Sequence, residues 1–306
     1  MTPSWPRRAA TLHDAFIAQA IAPLAREASV EVNVKDLHDL QASRALLPRG
    51  KRIYISHLPK QSWDDTLTAC RRVSEAGFEP IPHVPVRLVR SEDELDRFLE
   101  HAVRHGRCNE VLLIAGDYRE VAGPYAAVAE VLRTGILDRH GLRRVSFAGH
   151  PEGHHEVSVE TIRRAEVDKA ALAAAAGLEA TFVTQFFFEA APFLEWAAGA
   201  RAAGIRARLV AGLAGPASIA TLFRFALRCG VGSSIRALGA RPNSVMKLVG
   251  EHGPEEVMCH LAQARSDGQA DFDGVHFFCF GGFLRTCAWL HDVGLGTIRS
   301  TERRGL

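Results

Sequence analysis

The side chains best suited to chemistry in this chain stand in or just after short apolar segments. Glu31 and Asn33 alternate with valines in VEVNV at 30–34, Ser56 and His57 end the run from 52, and His83 lies in FEPIPHV at 78–84. Gly116 and Asp117 end EVLLIAG at 110–116, and His150, Glu152, His154 and His155 follow RVSFAG at 144–149. Thr184 and Gln185 lie in TFVTQFFF at 181–188, and His276 in GVHFFCF at 274–280. Carboxyls and imidazoles transfer protons when burial and neighbouring charges set their pKa near the working pH. An amide offers a donor and an acceptor together, which suits the edge of a heterocycle. HPEGHHE at 150–156, with His83 and His276, would also supply ligands for a metal hydrolase. Such sites usually begin with His-x-His on the first strand, where this chain has VEVNV, so no metal is expected.

Positioning these groups requires a regular scaffold. With RARLVAGL at 206–213 there are eight short segments rich in Val, Ile or Phe, as strands covered on both faces tend to be. Helical stretches separate them. SWDDTLTACRRVSEAG opens on a serine cap and closes on Gly77, SEDELDRFLEHAVRHG repeats that grammar up to Gly106, and an Ala-rich helix covers 166–177. Eight such units match a (β/α)8 TIM barrel better than an open doubly wound sheet. The reading is one TIM-barrel domain over 1–306, with 1–28 as a helical extension whose DAFIAQAIAPLAREA segment would plug the barrel floor. In such barrels chemistry occurs at the carboxyl ends of the strands, where the polar residues above are found.

Composition narrows the function classes. The chain has 306 residues, 47% of them hydrophobic, and 37 Lys and Arg against 35 Asp and Glu. A net charge of +2 from scattered basic residues lacks the footprint of a nucleic-acid binder. Six dispersed cysteines (70, 108, 229, 259, 279 and 287) with no CxxC pair point to a reducing, cytoplasmic setting. No uncharged apolar run approaches the roughly 18 residues of a membrane span, so neither a membrane nor a nucleic acid is expected as partner. Self-association is left open.

IAGD at 114–117, PYA at 124–126, HPEGHHE at 150–156 and TQFFFE at 184–189 occur in an order and spacing that resembles the 5,10-methylenetetrahydrofolate reductase family. The likeness runs from about Glu31 to Leu290, with GVHFFCF similar to the family's last strand. It implies reduction of methylenetetrahydrofolate to methyltetrahydrofolate, with hydride from NADH or NADPH passing through FAD. On this resemblance Glu31 is the general acid that opens the folate's five-membered ring, its proton retained by burial. Asp117 lies between flavin and pterin, Gln185 hydrogen-bonds the pterin, and Phe225 is a stacking wall for the folate or nicotinamide. His83, Gly116, Tyr125, Ala126 and His154 match flavin-contacting positions, and Ser56 and His150 stand at two more, Ser56 in place of a usual Thr; Phe186, Phe187 and Phe188 read mainly as core.

The chain also departs from the family pattern. Ala115 stands where an Arg is usual, His150 where a Tyr is usual, and Ala171 and Ala173 where a Lys pair faces the phosphates; Gly281 and Gly282 replace a polar residue and an Arg. Each lost charge-assisted contact is worth about 1.5–3 kcal/mol toward a pyrophosphate. A flavin-free enzyme passing hydride directly from NADH to the folate is therefore the alternative, as is oxidation of methyltetrahydrofolate in the reverse direction. A non-catalytic folate-binding relative is a further alternative, although it would have no need of the ring-opening acid. No GxGxxG follows a strand, so the residues do not discriminate NADH from NADPH.

Overall fold

The computed structural model describes residues 12–58, 60–116, 118, 120–154, 156–229 and 251–297. Eight parallel strands close into a barrel: β1 (Ser29–Val32), β2 (Arg52–Ile55), β3 (Glu79–Pro85), β4 (Glu110–Ile114), β5 (Arg144–Gly149), β6 (Glu179–Phe186), β7 (Arg208–Ala214) and β8 (Gly274–Phe278). Each strand pairs with its sequence neighbours, and β8 pairs with β1 through Ser29 opposite His276 and Val30 opposite Phe277. This is the (β/α)8 TIM barrel expected from the sequence.

The helices follow from capping and apolar periodicity. Trp63–Glu75 starts at Ser62, whose hydroxyl accepts from the Asp65 amide while the Asp65 carboxylate accepts from the Ser62 amide. Glu92–Arg104 starts at Ser91, whose hydroxyl accepts from the Glu94 amide, with Glu92, Asp93 and Glu94 in its first turn to complement the helix dipole. The Ala-rich stretch is the end of a longer helix, Val159–Ala175. Among the described residues no helix is long and apolar enough to cross a membrane.

Alternation along the strands divides the interior into two zones. Val30, Val32, Ile53, Ile55, Val111, Leu113, Phe147, Phe182 and Phe277 pack between barrel and helices, whereas Tyr54, Ile81, Leu112, Val183 and Val210 form a separate cluster in the lumen. Burying a Phe or Leu in such a layer contributes about 1.5–3 kcal/mol. The N-terminal helix Leu12–Glu27 packs against β8 and the last two helices, Glu255–Ser266 and Phe283–Gly294. It belongs to the outer layer and does not plug the floor, because its apolar residues Ala18, Ile21, Leu24 and Ala25 find their partners in the barrel–helix core. Two short strands, Ala217–Ser218 and Glu251–His252, pair antiparallel on the β7–β8 connection.

At the amino-terminal end of the barrel a charged layer fills the lumen. Arg52 donates to both carboxylate oxygens of the fully buried Glu110 at 2.6 Å; Ser146 Oγ donates to Glu110 Oε1, and Tyr54 Oη lies 2.9 Å from Ser146 Oγ. Arg144 pairs with Glu79 beside them. Removing one partner of such a buried pair strands the other in a poorly solvating site. Glu110→Ala is expected to lower unfolding free energy by about 3 kcal/mol, as measured by urea denaturation; a loss well under 1 kcal/mol would show that Arg52 is solvated without its partner.

Candidate functional site

At the opposite end β1, β2, β3 and β8 bring four polar side chains together. Glu31, in the middle of β1, lies across the ladder from Tyr54 and points inward because its neighbours Val30 and Val32 face the helices. Its Oε1 accepts from Ser56 Oγ at 2.7 Å, and its Oε2 lies 3.5 Å from His83 Nε2 and 3.9 Å from His276 Nε2. Only 17% of the Glu31 side chain is exposed, against 12% for His83 and 1% for His276. His276 Nδ1 pairs with Ser29 Oγ at 2.9 Å, which fixes the ring and leaves Nε2 facing the carboxylate. Tyr54 meets both imidazoles edge-on, at ring separations of 6.2 Å from His83 and 4.8 Å from His276.

The protonation states follow from this packing. Burial pushes the Glu31 carboxyl upward, but the nearby His276 and His83 imidazoles and the Ser56 hydroxyl outweigh it, so the net direction is below the usual carboxylate value. At 3.9 Å the His276 contact is longer than a hydrogen bond, and its influence is electrostatic. Glu31 is therefore ionised in the free site at neutral pH, in contrast to the proton-retaining acid implied by the family likeness. Burial also dominates the imidazoles: His83 falls to about 4 against the pull of Glu31, and His276 is lowered too. His83 Nε2 is buried without a hydrogen-bond partner, an atom left available at the mouth.

The β6, β7 and β8 side of the mouth is aromatic. Phe278 lies 4.9 Å edge-on from His276 and runs parallel to Phe280, which stacks on Phe225 at 4.1 Å. A register irregularity between Val183 and Phe186 shifts the alternation of β6. It places Phe186 and Phe188 against this aromatic cluster, while Phe187 stacks on Phe193 in the core. The Gly212 amide, opposite the irregularity, is taken up by Thr184 Oγ1 at 2.8 Å. A side chain at Gly212 would strike the Thr184 carbonyl, so the close crossing requires glycine. Gln185 adds a buried Oε1 with no partner.

Glu31, Ser56 and His83 thus come together, and Phe225 joins the aromatic wall. Gly116 lies two residues past β4 at φ +85°, with the Tyr118 ring filling the space a Cβ would occupy. Asp117 lies outside the described residues. Tyr125 is buried in the barrel–helix core, where Glu92 and Arg139 act on its phenol, and its hydroxyl has no partner. The Ala126 amide donates to Glu130 and its carbonyl accepts from Arg87. His150 and His154 form a separate group after β5: the His150 amide donates to the buried Glu166, which also receives the Trp196 indole N–H, and the two imidazoles meet edge-on at 6.2 Å. No group of three His, Cys, Asp or Glu among the described residues is arranged to hold a metal ion. Sequence reasoning did not commit to His276, Tyr54, Ser29, Phe278 or Phe280; the period-two spacing 29/31, 54/56 and 276/278 was the available signal.

The lowered imidazoles tie stability to pH. The unfolded chain protonates His83 below its ordinary 6.5, whereas the folded site resists until about 4. Stability is therefore complete above 6.5 and declines as pH falls toward 4, by up to about 3 kcal/mol from this group. His276 acts in the same direction, and Glu31, lowered from 4.5, contributes stability above that value that is lost on further acidification. Chemical denaturation of wild type and His83→Asn across this range is expected to show a shallower slope in the variant; parallel slopes would remove the buried neutral imidazole.

No family model matches the chain. Among solved structures it is similar to dihydropyrimidinase from Brevibacillus agri at 13% identity and TM-score 0.42, covering 79% of this chain and only 52% of that one. Dihydropteroate synthase from Thermus thermophilus is 13% identical at TM-score 0.46, with 88% and 92% covered. A Toxoplasma gondii protein described as a deoxyribose-phosphate aldolase is 13% identical at TM-score 0.45, with 93% and 99% covered.

Proposed function

We propose that this chain is an oxidoreductase of the methylenetetrahydrofolate reductase type, moving hydride between a nicotinamide dinucleotide and the one-carbon unit of a folate. The observation that carries the reading is the division of the mouth: Glu31 with two imidazoles on one side, and the Phe278, Phe280 and Phe225 wall on the other. A pterin is a flat heterocycle with polar edges, which suits an apolar face beside a carboxylate and the unpartnered Gln185 Oε1.

In the reductive direction the folate takes up one proton as its five-membered ring opens to a cationic iminium. Hydride then converts the iminium to the methyl group, and NAD(P)H becomes NAD(P)+. Glu31 is the proton donor in this scheme, and its carboxylate then faces the cation, an attraction strengthened by the low-dielectric site. In the oxidative direction hydride leaves the methyl group, the ring closes, and Glu31 receives the proton. Because the free site holds Glu31 as the anion, its resting form suits oxidation, and reduction begins with proton uptake.

The family likeness also implies FAD, but most of the described groups assigned to it are already engaged elsewhere. The Ser56 hydroxyl is given to Glu31, Tyr125 is turned into the core, both Ala126 backbone groups are occupied, and the His150 amide is held by Glu166. None of the side chains assigned to the flavin is a Lys or Arg that could balance a pyrophosphate. Hydride transfer in this proposal is therefore direct from nicotinamide to folate.

The test is turnover of purified protein with NADH or NADPH and methylenetetrahydrofolate, followed in both directions. Colourless protein lacking the flavin band at roughly 450 nm is expected to be active. Reduction should slow with rising pH and oxidation should quicken, and Glu31→Gln should lower both rates by about 10²–10⁴. Equal rates in Glu31→Gln, or folate binding with no turnover, would overturn the assignment.

A further inference from the structure

We infer that the amino-terminal face of the barrel, opposite the candidate site, carries a second binding site for the phosphate group of a small phosphorylated metabolite. A shallow, solvent-open depression of about 450 Å³ lies there among the loops that enter β2, β3, β4 and β5. Arg49, Arg107 and Arg144 line it with Ser74 and Asn109, and Phe78 and Pro80 supply an apolar wall. Arg144 is engaged by Glu79, the acidic residue of the lining. Arg49 and Arg107 have no carboxylate within ion-pair distance among the described residues, so two guanidinium groups face the depression without a counter-charge. Their planar forks match phosphate oxygens.

The backbone supplies an independent indication. The turns that lead into β2, β3, β5, β6, β7 and β8 each use a left-handed residue, and each time it is glycine: Gly50, Gly77, Gly141, Gly177, Gly204 and Gly268. The turn into β4 puts Arg107 in that conformation, at φ +55°. Gly106, just before it, is reserved for another reason: a Cβ there would collide with the Ala102 carbonyl and the Cys70 side chain. Folding alone favours glycine at 107, as at the six sister turns. The turn itself does not call for an arginine in this conformation, and its place on the cationic lining supports a role in holding an anion.

The site is independent of the folate proposal, and its test separates the two. Inorganic phosphate and adenosine 5′-monophosphate are titrated calorimetrically into the full chain at constant ionic strength. Both are expected to bind saturably, in wild type and equally in Glu31→Gln. Arg107→Gly restores the residue used at the sister turns, so it should unfold at or above the wild-type temperature while weakening both probes by roughly tenfold or more. Arg49→Ala should weaken them similarly. Absence of saturable binding, or unchanged affinity in both variants, would overturn the site; binding of inorganic phosphate with exclusion of the nucleotide would overturn its assignment to a phosphorylated metabolite.

Discussion

A carboxylate cannot be taken out of water alone, and the upper half of this barrel is organised around that constraint. Glu31 is mostly buried at the end of the lumen, where desolvation opposes its charge. Ser56 supplies a hydroxyl, His83 and His276 supply imidazoles, and Ser29 holds His276 in place. The imidazoles are buried in turn, and burial lowers both, so among the described residues the carboxylate has no lysine or arginine beside it. A cationic group is the electrostatic complement of such a site.

The two ends of the lumen solve the same electrostatic difficulty differently. At the base Glu110 meets a guanidinium with two-pronged geometry and a serine hydroxyl, and its charge is spent on Arg52. At the mouth no arginine or lysine among the described residues pairs with Glu31. A permanent cation there would neutralise the carboxylate and remove its capacity to exchange a proton. Tyr54 stands between the two zones, its hydroxyl in the lower network and its ring against the upper histidines.

The architecture was legible because alternating apolar segments and capped helices are local signals. Ser62, Ser91, Gly77 and the beat of Val, Ile and Phe each act within a few residues. Strand ends moved by one or two residues where local chemistry took over, as where Asn33 leaves β1 to cap the following turn. The site was only partly legible. Glu31, Ser56 and His83 are readable as polar residues on or just after apolar strands, but the contribution of His276 depends on closure, which no local pattern encodes. Burial alone predicts a protonated Glu31, and the imidazoles that oppose its effect come from strands far away in sequence. Likewise Tyr125, in the segment between β4 and the next helix, packs outward, because its ring completes the core beside Glu92 and Arg139.

The β1–β8 join is short, with two residue pairs in register, and Glu31 and His276 stand on its two sides. The N-terminal helix reinforces the same seam from outside: Arg26 donates to the Gly294 carbonyl at the end of the last helix, and Lys51 donates to the Arg26 carbonyl. A ligand seated between Glu31 and His276 would therefore work as a clasp across the one place where the first and last strands of the ring meet. Its residence and the lifetime of the closed ring would be coupled, so that occupancy protects the molecule against opening from its ends.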